Sequence, residues 1–203
     1  MGPEYWAEPV NALTNLAFII SGLLVIRLIS TRPRGAVFDI VPWLFATLVC
    51  AIGIGSWLFH THAQRWAMLT DIVPIALFIL IYTWYALRRF VRAPVWASAA
   101  AVAAVLALAM AVPHLTGFRG GSYVAALLAM LIIGGYLNFI SAHPAGGALL
   151  LAAAVFLVSL TFRTIDEPVC QSFPLGTHFL WHLLNATVLF IVTRAMVLHG
   201  RRI

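Results

Sequence analysis

The chain contains no lysine, and charged residues of any kind are scarce. Charged side chains make up 9% of its 203 residues, as 12 arginines and six acidic residues. Without lysine, the chain can form neither a retinal Schiff base nor a phosphate loop of the Walker type. The arginines are separated by apolar blocks and form no run, which argues against nucleic-acid binding. The charges therefore bear mainly on orientation in a membrane.

Cysteine is almost as rare, with two residues in the whole chain. Cys50 falls in the middle of a long apolar stretch, whereas Cys170 falls in a polar loop close to the last such stretch. Two cysteines at such different membrane depths are not expected to form a disulfide.

Long apolar runs dominate what remains. Hydrophobic residues make up 63% of the chain, and its mean hydropathy is +1.01. A helix needs about 20 apolar residues to cross a bilayer. We predict an all-α integral membrane protein, a seven-transmembrane-helix bundle forming one domain over residues 1–203. The predicted spans are 9–28, 40–59, 67–87, 95–112, 123–140, 147–162 and 175–197.

The arginines predict the orientation of this bundle. An odd number of spans puts the two termini on opposite sides, and alternate loops divide the arginines nine to three. The larger group lies on the side of the carboxyl terminus: Arg27, Arg32, Arg34, Arg88, Arg89, Arg92, Arg194, Arg201 and Arg202. The smaller group is Arg65, Arg119 and Arg163. Because positive loops stay in the cytosol, we predict an outside amino terminus and a cytosolic carboxyl terminus.

Five polar residues fall within the predicted spans or at their ends, where ionisable groups are costly. All five belong to the outer ends of their spans: Ser56, His60, Asp71, His178 and His182. Ser56 and His60 are four residues apart, as are His178 and His182, and each pair shares a helix face. A residue two positions further along, such as His62, is turned by about 200 degrees from that face. We therefore prefer His60 to His62 as a member of the group.

Three imidazoles with an acidic group nearby are typical of a hydrolytic zinc site, because three neutral ligands leave a fourth position for water. Each residue also has an ordinary explanation. A histidine pair on an apolar helix is more often structural, Asp71 can cap its helix, and Ser56 can bond to its own backbone. Their convergence favours the metal site.

A second polar stripe lies at the start of the first span. Glu8, Asn11 and Asn15 are three and four residues apart and lie along one face. They can complement the helix dipole and bond to neighbouring helices. They can equally support the metal site or help to hold a hard cation with oxygen ligands. Near the end of span six, we expect Arg163 and Asp166 to form a local ion pair.

These residues resemble the alkaline ceramidases and their wider superfamily of seven-span hydrolases, which includes the adiponectin receptors and the Per1 proteins. The resemblance covers nearly the whole chain. Its motifs are Ala7-Glu8-Pro9-Val10-Asn11 with Thr14-Asn15, Gly53-Ile54-Gly55-Ser56 with Phe59-His60, Asp71, and Gly176-Thr177-His178-Phe179-Leu180-Trp181-His182.

The resemblance implies a zinc ion bound by His60, His178 and His182. It implies that Ser56 and Asp71 are catalytic, with Asp71 acting as general base and then as general acid. The reaction would be hydrolysis of the ceramide amide to a sphingoid base and a fatty acid, on a lipid held among the helices.

The amino terminus departs from this family. Alkaline ceramidases carry an acidic segment with a cysteine before the first span, and that segment helps to build a calcium site. The present sequence begins too late to include it, although Glu8 matches the family's membrane-adjacent ligand. Either such a segment is missing here, or calcium control is absent or weakened.

Two other functions remain open at this stage. A lipid-sensing, receptor-like protein would bind lipid with little or incidental hydrolysis, and an electron-transfer protein would use the histidines as haem ligands. The substrate expected is a membrane lipid, with neither nucleic acid nor a protein partner indicated. An Arg-, Ala-, Leu- and Gly-rich composition without lysine suggests a bacterial plasma membrane.

Overall fold

The computed structural model describes residue 6 and residues 8–32, 38–118 and 120–200, and this part of the chain is helical without any strand. Seven of its helices are long and apolar enough to cross a membrane. We number them α1 (Pro9–Ser30), α2 (Ile40–His62), α3 (Arg65–Val91), α4 (Val95–Thr116), α5 (Gly121–Ile140), α6 (Ala145–Val169) and α7 (His178–His199). The predicted all-α, seven-span fold is confirmed.

The boundaries differ from the predicted ones mainly at helix ends. Helix α6 was expected to end at Phe162 but continues to Val169, and α7 begins at His178 although its apolar run starts at Leu175. Hydropathy marks the residues that lipid accepts, whereas backbone hydrogen bonding carries a helix on through polar residues. The additional turns of α6 contain Arg163 and Asp166.

The seven helices form a closed ring. Each packs against the next along the chain, and α7 completes the ring by packing against α1. Aromatic side chains fill part of the interior, where the ring of Phe45 makes edge contacts with those of Phe78 and Tyr82 at 5.3 Å between centroids. Cys50 and Cys170 are both free, as predicted.

One end of the ring contains the end of α2, the start of α3, the end of α6 and the start of α7; we call it the histidine end. At the opposite end, Arg89 in α3 donates to both carboxylate oxygens of Asp39, at 2.6 and 3.0 Å. Asp39 also accepts a hydrogen bond from the backbone of Val41, which caps α2. This buried pair fixes the end of α3 against the start of α2.

The described arginines follow the predicted division between the two ends. Six belong to the end opposite the histidines: Arg27, Arg32, Arg88, Arg89, Arg92 and Arg194. Arg65 and Arg163 belong to the histidine end. The predicted Arg34, Arg119, Arg201 and Arg202 lie outside the described residues, as does Glu4. The orientation of the bundle in the membrane stays a prediction.

Helices α2 and α3 approach closely at Gly55. A side chain at this position would collide with the backbone carbonyl of Thr70. Because Gly55 precedes Ser56 and Thr70 precedes Asp71, this close approach also brings those two polar residues together. A glycine is needed here for its small size, since its backbone is helical.

We expect Gly55→Ala to destabilise the protein by about 1–3 kcal/mol, the usual cost of overpacking a filled interior. Thermal unfolding in detergent will measure this effect as a lower Tm. Gly135→Ala is the matched control, because a methyl group there meets open space and alanine favours a helix. Equal Tm values for the two variants would contradict the role of the close approach.

Candidate metal centre

Three histidines meet at the histidine end. His60 lies in the last turn of α2, while His178 and His182 lie on successive turns at the start of α7. Their ring centroids are 4.7 to 5.2 Å apart, and one potential ligand atom from each lies within 4.8 Å of the others. His60 is 6% exposed and His182 is 2% exposed. Such buried, converging nitrogens can hold one metal ion.

The predicted preference for His60 over His62 agrees with this geometry. His60 packs against both other imidazoles, whereas the ring of His62 lies 5.3 Å from that of Trp66. The difference follows from the helix, in which two residues rotate the side chain to the other face.

Glu8 fixes the orientation of the His60 ring. Its carboxylate accepts a hydrogen bond from His60 Nδ1 at 2.6 Å, and this contact lowers the pKa of Glu8 to about 2 against the opposing effect of burial. An ionised acceptor keeps the proton on Nδ1, so that Nε2 of His60 is free to bind a metal. Metal-binding histidines commonly carry such a carboxylate partner.

Thr14 orients the ring of His182, as Glu8 orients the ring of His60. Its hydroxyl donates to the backbone carbonyls of Val10 and Asn11, both at 3.0 Å, and lies 2.9 Å from Nδ1 of His182. With its own proton already used, the hydroxyl accepts one from Nδ1, and Nε2 of His182 is free. Thr14 belongs to the motif of the first span, but this role could not be predicted from the sequence.

The asparagines of the first span support Glu8 in different ways. Asn11 donates from Nδ2 to the Glu8 oxygen that also receives the His60 hydrogen bond, at 2.9 Å. Asn15 donates to the backbone carbonyl of Asn11, at 2.9 Å. The bonds that these two side chains donate therefore remain within α1 and its flank, while the carboxylate of Glu8 reaches His60.

The expected ion pair between Arg163 and Asp166 is wrong. Nη1 of Arg163 instead lies 3.1 Å from Nδ1 of His178. Asp166 accepts hydrogen bonds from the backbone N–H groups of Thr177 and His178, at 2.6 and 2.9 Å. A carboxylate at the amino end of a helix satisfies free N–H groups and the helix dipole. Asp166 therefore positions His178, a role that its sequence position did not predict.

Ser56 and Asp71 are close enough to share a hydrogen bond between their side chains. Ser56 lies on the face of α2 that contains His60, and it is 4% exposed. Both residues line the same cavity as the histidines. All five predicted residues are thus brought together at the histidine end.

The cavity measures about 310 Å³, within the range of sites that bind small organic ligands. At the histidine end its wall is polar and includes Ser56, His60, Asp71, Arg163, His178 and His182. Further along the helices the wall is apolar and includes Ile133, Leu149, Phe156, Val188 and Val192. A lipid with a polar reacting group and a hydrocarbon chain matches this division.

The donor set fits zinc better than calcium. Imidazole nitrogens are preferred zinc ligands, while calcium takes six to eight oxygen ligands. Among the described residues, the histidines form the one group of three that can hold a metal ion, and no group of three carboxylates does so. Glu8, which the sequence left open as either a calcium ligand or a support of the metal site, is bound to His60 and Asn11.

We expect Thr14→Val to weaken zinc binding by about 10- to 100-fold, the usual effect of removing a partner of a metal-binding histidine. Valine keeps the shape but removes the hydroxyl that accepts from Nδ1 of His182. Competition with a chelator will measure the affinity. Thr187→Val is the matched control, because this exposed hydroxyl bonds only to its own helix. Unchanged affinity in Thr14→Val would refute the orienting role.

Comparison with known proteins gave one clear match. A family model described as Ceramidase matches residues 3–201 of the 203-residue chain. A search of the curated proteins found no significant match.

Proposed function

The chain belongs to the ceramidase family, and we propose that it is a zinc-dependent amidase that cleaves ceramide-like lipids within the bilayer. The family supports a membrane-embedded hydrolase with a lipid substrate. The observation that carries the finer proposal is the group of three histidines, with one ligand atom from each within 4.8 Å of the others. This group lies where the polar and apolar parts of the cavity meet.

His60, His178 and His182 would hold a zinc ion, which would supply a Lewis acid for the amide carbonyl and lower the pKa of a water molecule at the site to about 7. Water oxygen joins the acyl carbon and the C–N bond breaks, giving a fatty acid and a sphingoid amine. The remaining requirement is a group that moves a proton from the water to the departing nitrogen.

Asp71 is suited to this proton transfer. It lines the cavity beside Ser56, and a carboxylate can act first as general base and then as general acid. Ser56 can donate its hydroxyl proton either to Asp71 or to the oxygen of the reacting carbonyl. The two side chains are close enough to share a proton between them at the cavity wall.

We also propose that the site faces the outer side of a bacterial plasma membrane. Nine of the 12 arginines belong to loops on the side opposite the histidines, and positive loops remain in the cytosol. A lipid in the outer leaflet then has its amide group near the level of the metal site, with its chain among the helices.

The test combines metal analysis with product identification. Purified protein should carry about one zinc per chain and release a fatty acid and a sphingoid base from ceramide in a panel of lipid amides and esters. Protein with no stoichiometric zinc, or with no amide cleaved, would contradict the proposal. Lipid binding without any product would instead favour the receptor-like alternative.

A further inference from the structure

Arg163 is a half-buried cation in the polar wall of the cavity, and the proposed proton transfer does not use it. Its guanidinium lies 3.1 Å from Nδ1 of His178 and 5.5 Å from the centroid of the Trp181 ring. Its Nε atom is buried and has no hydrogen-bond partner among the described residues. The side chain therefore has a hydrogen-bond donor that no protein group uses, at the position where a substrate would react.

Neither aspartate of the cavity wall forms an ion pair with Arg163. The ion pairs found in the described part of the chain join His60 to Glu8 and Arg89 to Asp39. One carboxylate oxygen of Asp166 accepts hydrogen bonds from the start of α7, and Asp71 lines the cavity without an ion pair to Arg163. A cation within a membrane protein is costly unless it meets an anion. The guanidinium is thus prepared for an anionic ligand.

The contact with His178 does not occupy Arg163 permanently. A guanidinium only donates hydrogen bonds, so Nδ1 of His178 must accept here. A histidine that binds a metal through Nδ1 has no lone pair left on that atom. One that binds through Nε2 carries its proton on Nδ1. In both cases the hydrogen bond from Arg163 is lost, and its Nη1 becomes available to the cavity.

The species of the proposed reaction differ in charge. The amide substrate is neutral and the sphingoid product is an ammonium ion, whereas the fatty acid is a carboxylate. Arginine binds carboxylates through two parallel hydrogen bonds, and the apolar wall beyond the histidines suits the acyl chain. We propose that Arg163 binds the carboxylate of the released fatty acid and retains it after the amine has left.

This inference rests on the proposed function, and binding measurements test it separately from turnover. Zinc-loaded protein will be titrated with radiolabelled palmitate, with hexadecanol and sphingosine as competitors. We expect wild-type protein to bind palmitate about 10- to 100-fold more tightly than hexadecanol, the gain from charge-assisted hydrogen bonds. In Arg163→Gln this preference should disappear while zinc content is unchanged. Arg163→Lys, which keeps the charge, should retain part of it.

Arg194→Gln is the matched control, because this exposed arginine lies near the far end of α7 and should leave the preference unchanged. The proposal is overturned if wild-type protein shows no preference for palmitate, a result that needs no variant. It is also overturned if Arg163→Gln keeps the full preference, or loses its zinc. Ceramide hydrolysis combined with any of these results would leave the proposed function intact. Palmitate binding that depends on Arg163, without any ceramide hydrolysis, would support the role of Arg163 and contradict the proposed function.

Discussion

Replacing His182 by alanine should abolish both zinc binding and lipid hydrolysis. This histidine is 2% exposed, and its ring contacts both His60 and His178. Its removal leaves two nitrogen ligands, fewer than a catalytic zinc site uses. We expect turnover to fall by at least about 1,000-fold, which corresponds to about 4 kcal/mol of activation free energy. Zinc per chain and fatty acid release will be measured on the same preparation.

His62→Ala is the control for this experiment. The residue is two positions from His60 and its ring lies beside that of Trp66, so that the metal ligands are untouched. Zinc content and turnover should stay within about twofold of wild type, as for a surface substitution. The metal-site proposal fails if His182→Ala retains one zinc per chain, or if His62→Ala loses it.

The sequence was sufficient to predict the helices and the group of three histidines that can hold a metal ion. Apolar runs of about 20 residues are local signals, and the four-residue spacing of His178 and His182 fixes a shared face once the helix is known. The position of His60 followed from alternating spans, which bring the end of one helix level with the start of another. These arguments require no knowledge of how the helices rotate.

The partners of the histidines could not be predicted in this way. The contact of Thr14 with His182 joins α1 to α7, and the contact of Arg163 with His178 depends on α6 continuing beyond its apolar run. Both contacts depend on the rotation of one helix against another, which composition and spacing leave undetermined. Asp166 was misassigned for a similar reason, because Arg163, three residues earlier, was taken as the partner of its carboxylate.

Asp71→Asn should separate catalysis from binding. Asparagine has the shape of aspartate and can still hydrogen bond to Ser56, but it cannot accept a proton from water. We expect turnover to fall by about 100- to 10,000-fold, the usual contribution of a general acid–base group. Zinc content and lipid affinity should be unchanged, because Asp71 does not belong to the histidine group.

Glu167→Gln is the control for Asp71→Asn, because it also replaces a carboxylate by an amide. Glu167 is exposed and does not belong to the cavity lining. It should keep wild-type turnover. If Asp71→Asn keeps more than about one-tenth of wild-type activity, the proton passes through another group and the assigned role is wrong. If it keeps lipid binding and zinc but loses hydrolysis, the buried carboxylate is explained by chemistry. A protein that only senses lipid has no need of a carboxylate at this position, where burial is costly.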